Sequence, residues 1–328
     1  MERLVNKKKS KSVSNVQVGN KEPFGKYLKR HWILYLMLVP GILCLIIFKY
    51  IPLGGIIIAF KNYNPFLGIW DSPWVGLTHF KNLMMGTDFP MLLKNTLVIS
   101  FMMLFFYFPM PIIVSLLLNE IRHQKYKKAV QTCVYIPHFV SWVIVYSITY
   151  MLLTKGSGIG DSGGGIIFEL IKAITGQEIK FFENPDWFRP LVLIQVMWKE
   201  TGWGTVIFLA ALAGVDIQLY EAAQIDGANR LQQMWHITLP AIKGTIIIML
   251  IMRCGSVLNT GFEQIFLLQN SMNRGVSEVF DTYVYRQGIT MGSFSYSTAV
   301  GLFKGVVGTL MVMTADRLAK LAGESGLY

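Results

Sequence analysis

Four ionisable residues stand inside long apolar runs: Lys199 and Glu200 side by side, Arg253, and Lys304. A charge in hydrocarbon is costly, so such groups ordinarily face one another, a partner chain or a watery path. Gln195 lies one turn from Lys199, and Trp198 and Trp203 flank the pair. An amide and two ring faces beside buried charge offer hydrogen bonding and apolar stacking to a polar solute. The same charges would equally serve as an ion-pair network that ties helices together or to another subunit, and both readings stand at this level. Counting ~1.5 Å per helical residue, Lys199 lies ~14 Å from Pro190, Lys304 ~12 Å from Tyr296 and Arg253 ~18 Å from Ala241. In a ~30 Å hydrocarbon core this brings three cations and one carboxylate to a common layer.

Other chemistry is excluded. Gly158-Ile-Gly160-Asp-Ser-Gly163 fits a dinucleotide fingerprint, but it follows an apolar helix rather than a strand and opens no clear helix. A phosphate-cradling G-x-x-x-x-G-K-[ST] does not occur, so the chain does not hydrolyse ATP in that manner. His31, His79, His123, His138 and His236 are dispersed without a second ligand at metal spacing. Cys44, Cys133 and Cys254 lie in apolar blocks and imply neither a disulfide framework nor a metal site. No arrangement of nucleophile and base is readable, so the expectation is no catalytic residue, no metal ligand and no enzyme.

The elements that must position these charges follow from composition. Of 328 residues, 53% are hydrophobic and 15% charged. Apolar blocks near the ~20 residues needed to cross a bilayer occur six times: Ile33 to Phe60, Thr96 to Leu118, Val134 to Leu153, Leu191 to Leu212, Ala241 to Leu258 and Tyr296 to Ala315. The expected fold class is an all-α integral membrane protein with six transmembrane helices. The first block holds Lys49 and Pro52, so its spanning part is expected to end near Tyr50. It is too long and too far from the start for a signal peptide, and no small-residue cleavage site follows it.

Net charge is +11, yet its placement argues for membrane lipid and against nucleic acid. Nine basic residues fall in Met1 to His31, and Arg122, Lys125, Lys127 and Lys128 share one short loop. Basic residues of short segments stay cytoplasmic, so both termini are expected inside. The chain then divides into a basic cytoplasmic tail (1–31), a first helix with its external loop (32–90), a membrane core (91–315) carrying a cytoplasmic loop at 214–240, and a cytoplasmic tail (316–328).

That loop is the most informative stretch: VDIQLYEAAQIDGANRLQQMWHITLPAI, Val215 to Ile242. Ile217 to Asp226 is predicted helical, with Leu219, Tyr220 and Ala223 on an apolar face. At two to three turns it is too short to be stable alone and must be held by packing. Ala222 and Ala223 keep the surface low for a partner. Gly227 tolerates positive φ where one short helix stops and the next begins. Pro240 suits the first turn of the fifth membrane helix, where its missing N–H costs nothing.

The segment resembles the EAA signature of permease subunits of binding-protein-dependent ABC importers. Glu221, Ala222, Ala223, Gly227, Ile237, Leu239 and Pro240 stand at its spaced places. The resemblance extends over essentially the whole chain to carbohydrate importers, especially permeases for pectin and rhamnogalacturonan oligosaccharides. It is carried by KYIPLGGIIIAFKNYNPFLGIWDSPWVGL, YIPHFVSWVIVYSITYMLL, WFRPLVLIQVMWKETGW, FDTYVYRQGI and FSYSTAVGLFKGVVG.

The resemblance implies a type I ABC importer permease fold in a bacterial cell membrane. It also implies docking of the Glu221 to Gly227 helix in a groove of a dimeric ATPase that binds ATP and magnesium, no cofactor in this chain itself, a second homologous permease, and an extracytoplasmic solute-binding protein that delivers an oligosaccharide. With three cations against Glu200, the charged layer is expected to favour acidic sugars. A secondary transporter driven by an ion gradient is the alternative class. It calls for ionisable relays or an internal repeat, and no clear repeat is present.

Overall fold

The computed structural model describes residues 24–156, 164–324 and 326–327. The basic tail before Phe24 and the glycine-rich match at 158–163 lie outside the described residues. Regular structure among the described residues is helical, with two isolated bridges, Lys61 to Trp74 and Asn64 to Gly68. Trp32–Phe60, Phe89–Glu120 and Phe294–Leu321 are long and apolar enough to cross a membrane, and taking each of three bent helix pairs as one span gives six.

The chain separates into two compact units, one through Gly55 and one from Ile56. In the first, α1 (Trp32–Leu45) is apolar around its whole circumference and has no buried residue, as expected of a helix dissolved in lipid. Helical structure continues past Tyr50 to Phe60, so the residues beyond the expected end of the spanning part are helical as well.

The reason recurs three times in the chain. A proline inside a helix removes one hydrogen bond and clashes with the carbonyl four residues earlier. Before Pro52, Pro109 and Pro240 the helix widens by one residue. Ile51 N–H donates to the Ile46 carbonyl, Phe108 to Met103, and Leu239 to Met234. Each widened turn moves the obstructing carbonyl aside and lets the helix continue. Pro240 therefore lies in a helical run, Arg230–Ala241, rather than in the first turn of the fifth membrane helix, which begins after a 58° bend at Lys243.

In the second unit the membrane core comprises α2 (Phe89–Met102), α3 (Pro109–Glu120), α4 (Gln124–Tyr135), α5 (Trp142–Leu153), α6 (Pro185–Leu212), α7 (Ile217–Ile225), α8 (Lys243–Gly255), α9 (Phe262–Leu268), α10 (Phe280–Tyr285) and α11 (Phe294–Leu321). The expected continuous helix Val134 to Leu153 is broken. A tight turn at Ile136–Phe139 containing Pro137 ends the first half, Val140 is extended, and Ser141 caps α5 by accepting from Ile144 N–H. The halves are bent by 99°.

One apolar cluster joins Ile99 and Met103 to Phe188, Val192, Ile265 and Leu268, gathering α2, α6 and α9. A second joins Leu92 to Phe280, Tyr283 and Val300, gathering α2, α10 and α11. A third packs Phe208 and Leu212 with Ile112, Leu116 and Ile242 near the loop that follows α6. Thus α6 is the central post. Its Gly202 passes α4 so closely that an added Cβ would lie 2.0 Å from the Val134 carbonyl oxygen.

Candidate functional site

The Val215 to Ile242 segment is built by local hydrogen bonds. Asp216 caps α7 by accepting from Gln218 N–H at 2.9 Å, which satisfies one of the orphan donors of the first turn. Gly227 has φ +80°, so the chain leaves the helix through the left-handed region. Asn229 and Gln232 then form a reciprocal capping box that starts the next turn. The segment is turned by 74° from α6 and so lies crosswise to its central post.

What α7 presents is specific. Ile217, Leu219 and Ile225 are 70%, 52% and 87% exposed. Glu221 and Ala222 are exposed and Ala223 is half-buried. Tyr220 turns the other way, its hydroxyl 2.9 Å from the Thr238 hydroxyl, and braces α7 against the following helical run. Of the signature's other end, Ile237 and Leu239 are half-buried and Pro240 is exposed. Arg230 pairs with Glu120 at the end of α3, 3.0 Å away. The result is a small prominence that exposes Ile217, Leu219 and Ile225 beside a low alanine surface. Sequence reasoning missed Ile217 and Ile225 as exposed residues of α7, and it put Tyr220 on one face with Leu219, from which the bond to Thr238 turns it away.

The charged residues of the membrane core have different neighbours. Lys199 is 6% exposed. Its ammonium donates to the His138 carbonyl at 2.7 Å, lies 3.2 Å from Glu200 Oε1, and sits 5.2 Å from the Trp142 ring centroid. His138 Nδ1 donates to Glu200 Oε2 at 2.9 Å, and its ring stacks on Trp203 at 4.6 Å. Lys199 thus caps the broken end of the α4 half-span, where a carbonyl is left without a helical partner. Gln195 is also consumed internally, donating to the Thr149 hydroxyl at 2.8 Å and accepting from Gln264 at 3.0 Å. Trp198 is exposed.

Lys304 forms an ion pair with Asp281 of α10. Asp281 also accepts from Thr260 N–H at 3.2 Å. It was missed because it falls in a stretch read as external loop; its place in the FDTYVYRQGI match was the available signal. With two carboxylates against three cations, the expected excess of two positive charges becomes one.

Arg253 is the remaining cation. It has no carboxylate partner among the described residues, and its guanidinium lies 5.7 Å from the Tyr107 ring centroid. Tyr107 in turn donates a long hydrogen bond to the Glu200 carbonyl, 3.4 Å. Arg253 lines a cavity of ≈ 330 Å³ with Tyr107, Phe108, Phe208 and Met249. A neighbouring cavity is lined by Lys304, and Met252 and Ser256 border both.

Comparison with known proteins places these features in a lineage. Residues 25–322 match the family described as binding-protein-dependent transport system inner membrane component. The chain is 54% identical to Protein LplB of Bacillus subtilis (strain 168) over 301 residues, covering 92% of each chain. It is 55% identical over 295 residues to the polygalacturonan/rhamnogalacturonan transport system permease protein YteP of the same organism, covering 90% of each. Among solved structures it resembles a chain from a bacterial alginate ABC transporter crystallised with an alginate pentasaccharide-bound periplasmic protein. The TM-score is 0.82 and the identity 37%, over 93% of this chain and 99% of that one.

Proposed function

The chain belongs to the binding-protein-dependent transport system inner membrane component family, and on that premise we propose that it is the permease subunit of an ATP-driven importer for acidic oligosaccharides. It is a membrane transport component and not an enzyme. The observation that carries the sugar reading is the 55% identity, over nine-tenths of both chains, to a permease named for polygalacturonan and rhamnogalacturonan.

In this reading α7 is the lever. A separate ATPase grips Ile217, Leu219 and Ile225 in a groove and closes on ATP with magnesium, and the rigid unit capped by Asp216 and braced by Tyr220 passes that motion to α6. The other signature residues, Glu221, Ala222, Ala223, Gly227, Ile237, Leu239 and Pro240, shape and hold that unit. One chain supplies one lever, and a dimeric ATPase offers two grooves, so a second homologous permease completes the path. A solute-binding protein outside the membrane delivers the sugar. Both termini face the cytoplasm, supported by the basic residues of Met1 to His31 and of Arg122 to Lys128. A cysteine introduced at Asn15 should resist an impermeant thiol reagent in intact cells.

The decisive experiment is uptake into vesicles holding the complete transporter. Accumulation of a short galacturonate oligomer is expected to require both ATP and the loaded binding protein. Uptake that survives without either, and collapses with the ion gradient, would replace this reading with a secondary transporter.

A further inference from the structure

We infer that Arg253, at the mouth formed with Tyr107, is the carboxylate-recognising residue of the translocation path, and that Lys199 and Lys304 hold helices together. The inference rests on the importer reading above. It begins with the cost of charge. An intramembrane cation persists when a partner, a carbonyl or a ligand compensates it. Lys199 has Glu200 and the His138 carbonyl. Lys304 has Asp281. Arg253 has one aromatic face and an open cavity.

The cavity suits one unit of an acidic sugar. Its ≈ 330 Å³ falls at the lower end of small-ligand pockets, about 300–1,000 Å³. Phe108, Phe208 and Met249 supply apolar walls for the C–H face of a ring, and the Arg253 guanidinium offers the paired N–H fork that matches a carboxylate. A neutral sugar would satisfy the walls and leave the fork unused. Selectivity for acid over neutral substrate would then reside in this one side chain. Because no bond is made to the solute, each carboxylate exchanges water for guanidinium and back again as it passes.

The test uses the whole transporter, with its second permease, ATPase and binding protein. It compares uptake of trigalacturonate with uptake of its carboxyl-reduced, neutral analogue, both delivered by saturated binding protein. Arg253→Met is expected to slow the acidic sugar about tenfold, corresponding to about 1.4 kcal/mol, and the neutral one less than about twofold. Arg253→Lys, which keeps the charge and loses the fork, is expected to recover only part of the acidic rate. Equal loss for both sugars in Arg253→Met, a complex that no longer assembles in both variants, or a larger acid-selective loss in Lys199→Met would overturn the assignment. Failure of the wild-type complex to take up either sugar would instead refute the acidic-oligosaccharide reading, so the two failures are distinguishable.

Discussion

The α7 segment and the charged membrane core are both built from polar groups, but they are organised on opposite scales. In the loop the capping bonds are short-range, Asp216 to Gln218 and Asn229 to Gln232, and Tyr220 to Thr238 closes the segment on itself, with Arg230 to Glu120 as a tie to α3. In the core the partners lie far apart along the chain, as with Lys199 and His138 or Lys304 and Asp281. The first region faces water and must be a stable shape before any partner arrives. The second lies within apolar surroundings, where an unmet charge costs more than an unmade contact. A lever can be encoded locally; a neutralised membrane layer cannot.

The largest expected effect tests whether the core pairs are structural. Asp281→Asn leaves Lys304 unpaired in a largely buried place, and breaking such a pair by removing one partner typically costs about 3–5 kcal/mol. Thermal unfolding of the detergent-solubilised complex should shift strongly. Adding Lys304→Met to the same chain should restore most of the loss, since removing both charges is far less costly than orphaning one. A double variant as unstable as the single would mean that the pair is not what Asp281 provides.

Lys199→Met should cost less, about 1–3 kcal/mol, because it orphans the His138 carbonyl while Glu200 keeps its bond to the His138 ring. Transport of acidic and neutral sugars should fall in the same proportion. That outcome would sharpen the contrast with Arg253, whose removal is expected to separate them.

Gly227→Val moves to the other side of the comparison. A Cβ there meets nothing within 4 Å, and φ is +80°, so the only penalty is backbone strain of about 1–2 kcal/mol. The membrane core should remain folded while transport and sugar-stimulated ATP hydrolysis drop together. Gly227→Asn, which enters the left-handed region more readily, should be milder. Valine and asparagine variants of equal coupling would show that the turn tolerates other geometries.

The same division explains what the sequence could and could not reveal. The six apolar blocks and the positive φ at Gly227 were readable because hydropathy and turn chemistry are local properties. The break of the third span at Val140 was hidden: Pro137 signalled a kink, but the extended residue and the 99° bend depend on Lys199 and Gly202, which α6 brings alongside. Likewise Asp281, marked in the sequence only by its place in FDTYVYRQGI, gains its partner when the fold sets α10 against α11. The continuation of the helix past Pro52 was not legible for a different reason, since widening a helix by one residue is a repair that composition alone does not announce.

The smallest effect is expected at an ion pair that has neither local shape nor burial to enforce it. Glu178 accepts from Lys155 at 2.5 Å and lies 2.8 Å from Lys172, all three on an exposed part of the loop between α5 and α6. Hydrogen bonds from Lys155 and then Lys172, with their charges, hold the Glu178 carboxyl down at about 2, below its ordinary 4.5. A lowered folded-state value means that its contribution to stability is fully present above about 4.5 and is lost as pH falls toward about 2. Solvent screens so exposed a cluster, so Glu178→Gln should leave unfolding at neutral pH and sugar transport unchanged. The variant should flatten only the acid limb of the stability curve. A Glu178→Gln loss comparable to that of Asp281→Asn would mean that burial is not what separates the two kinds of pair, and the contrast between water-facing and membrane charge would have to be drawn elsewhere.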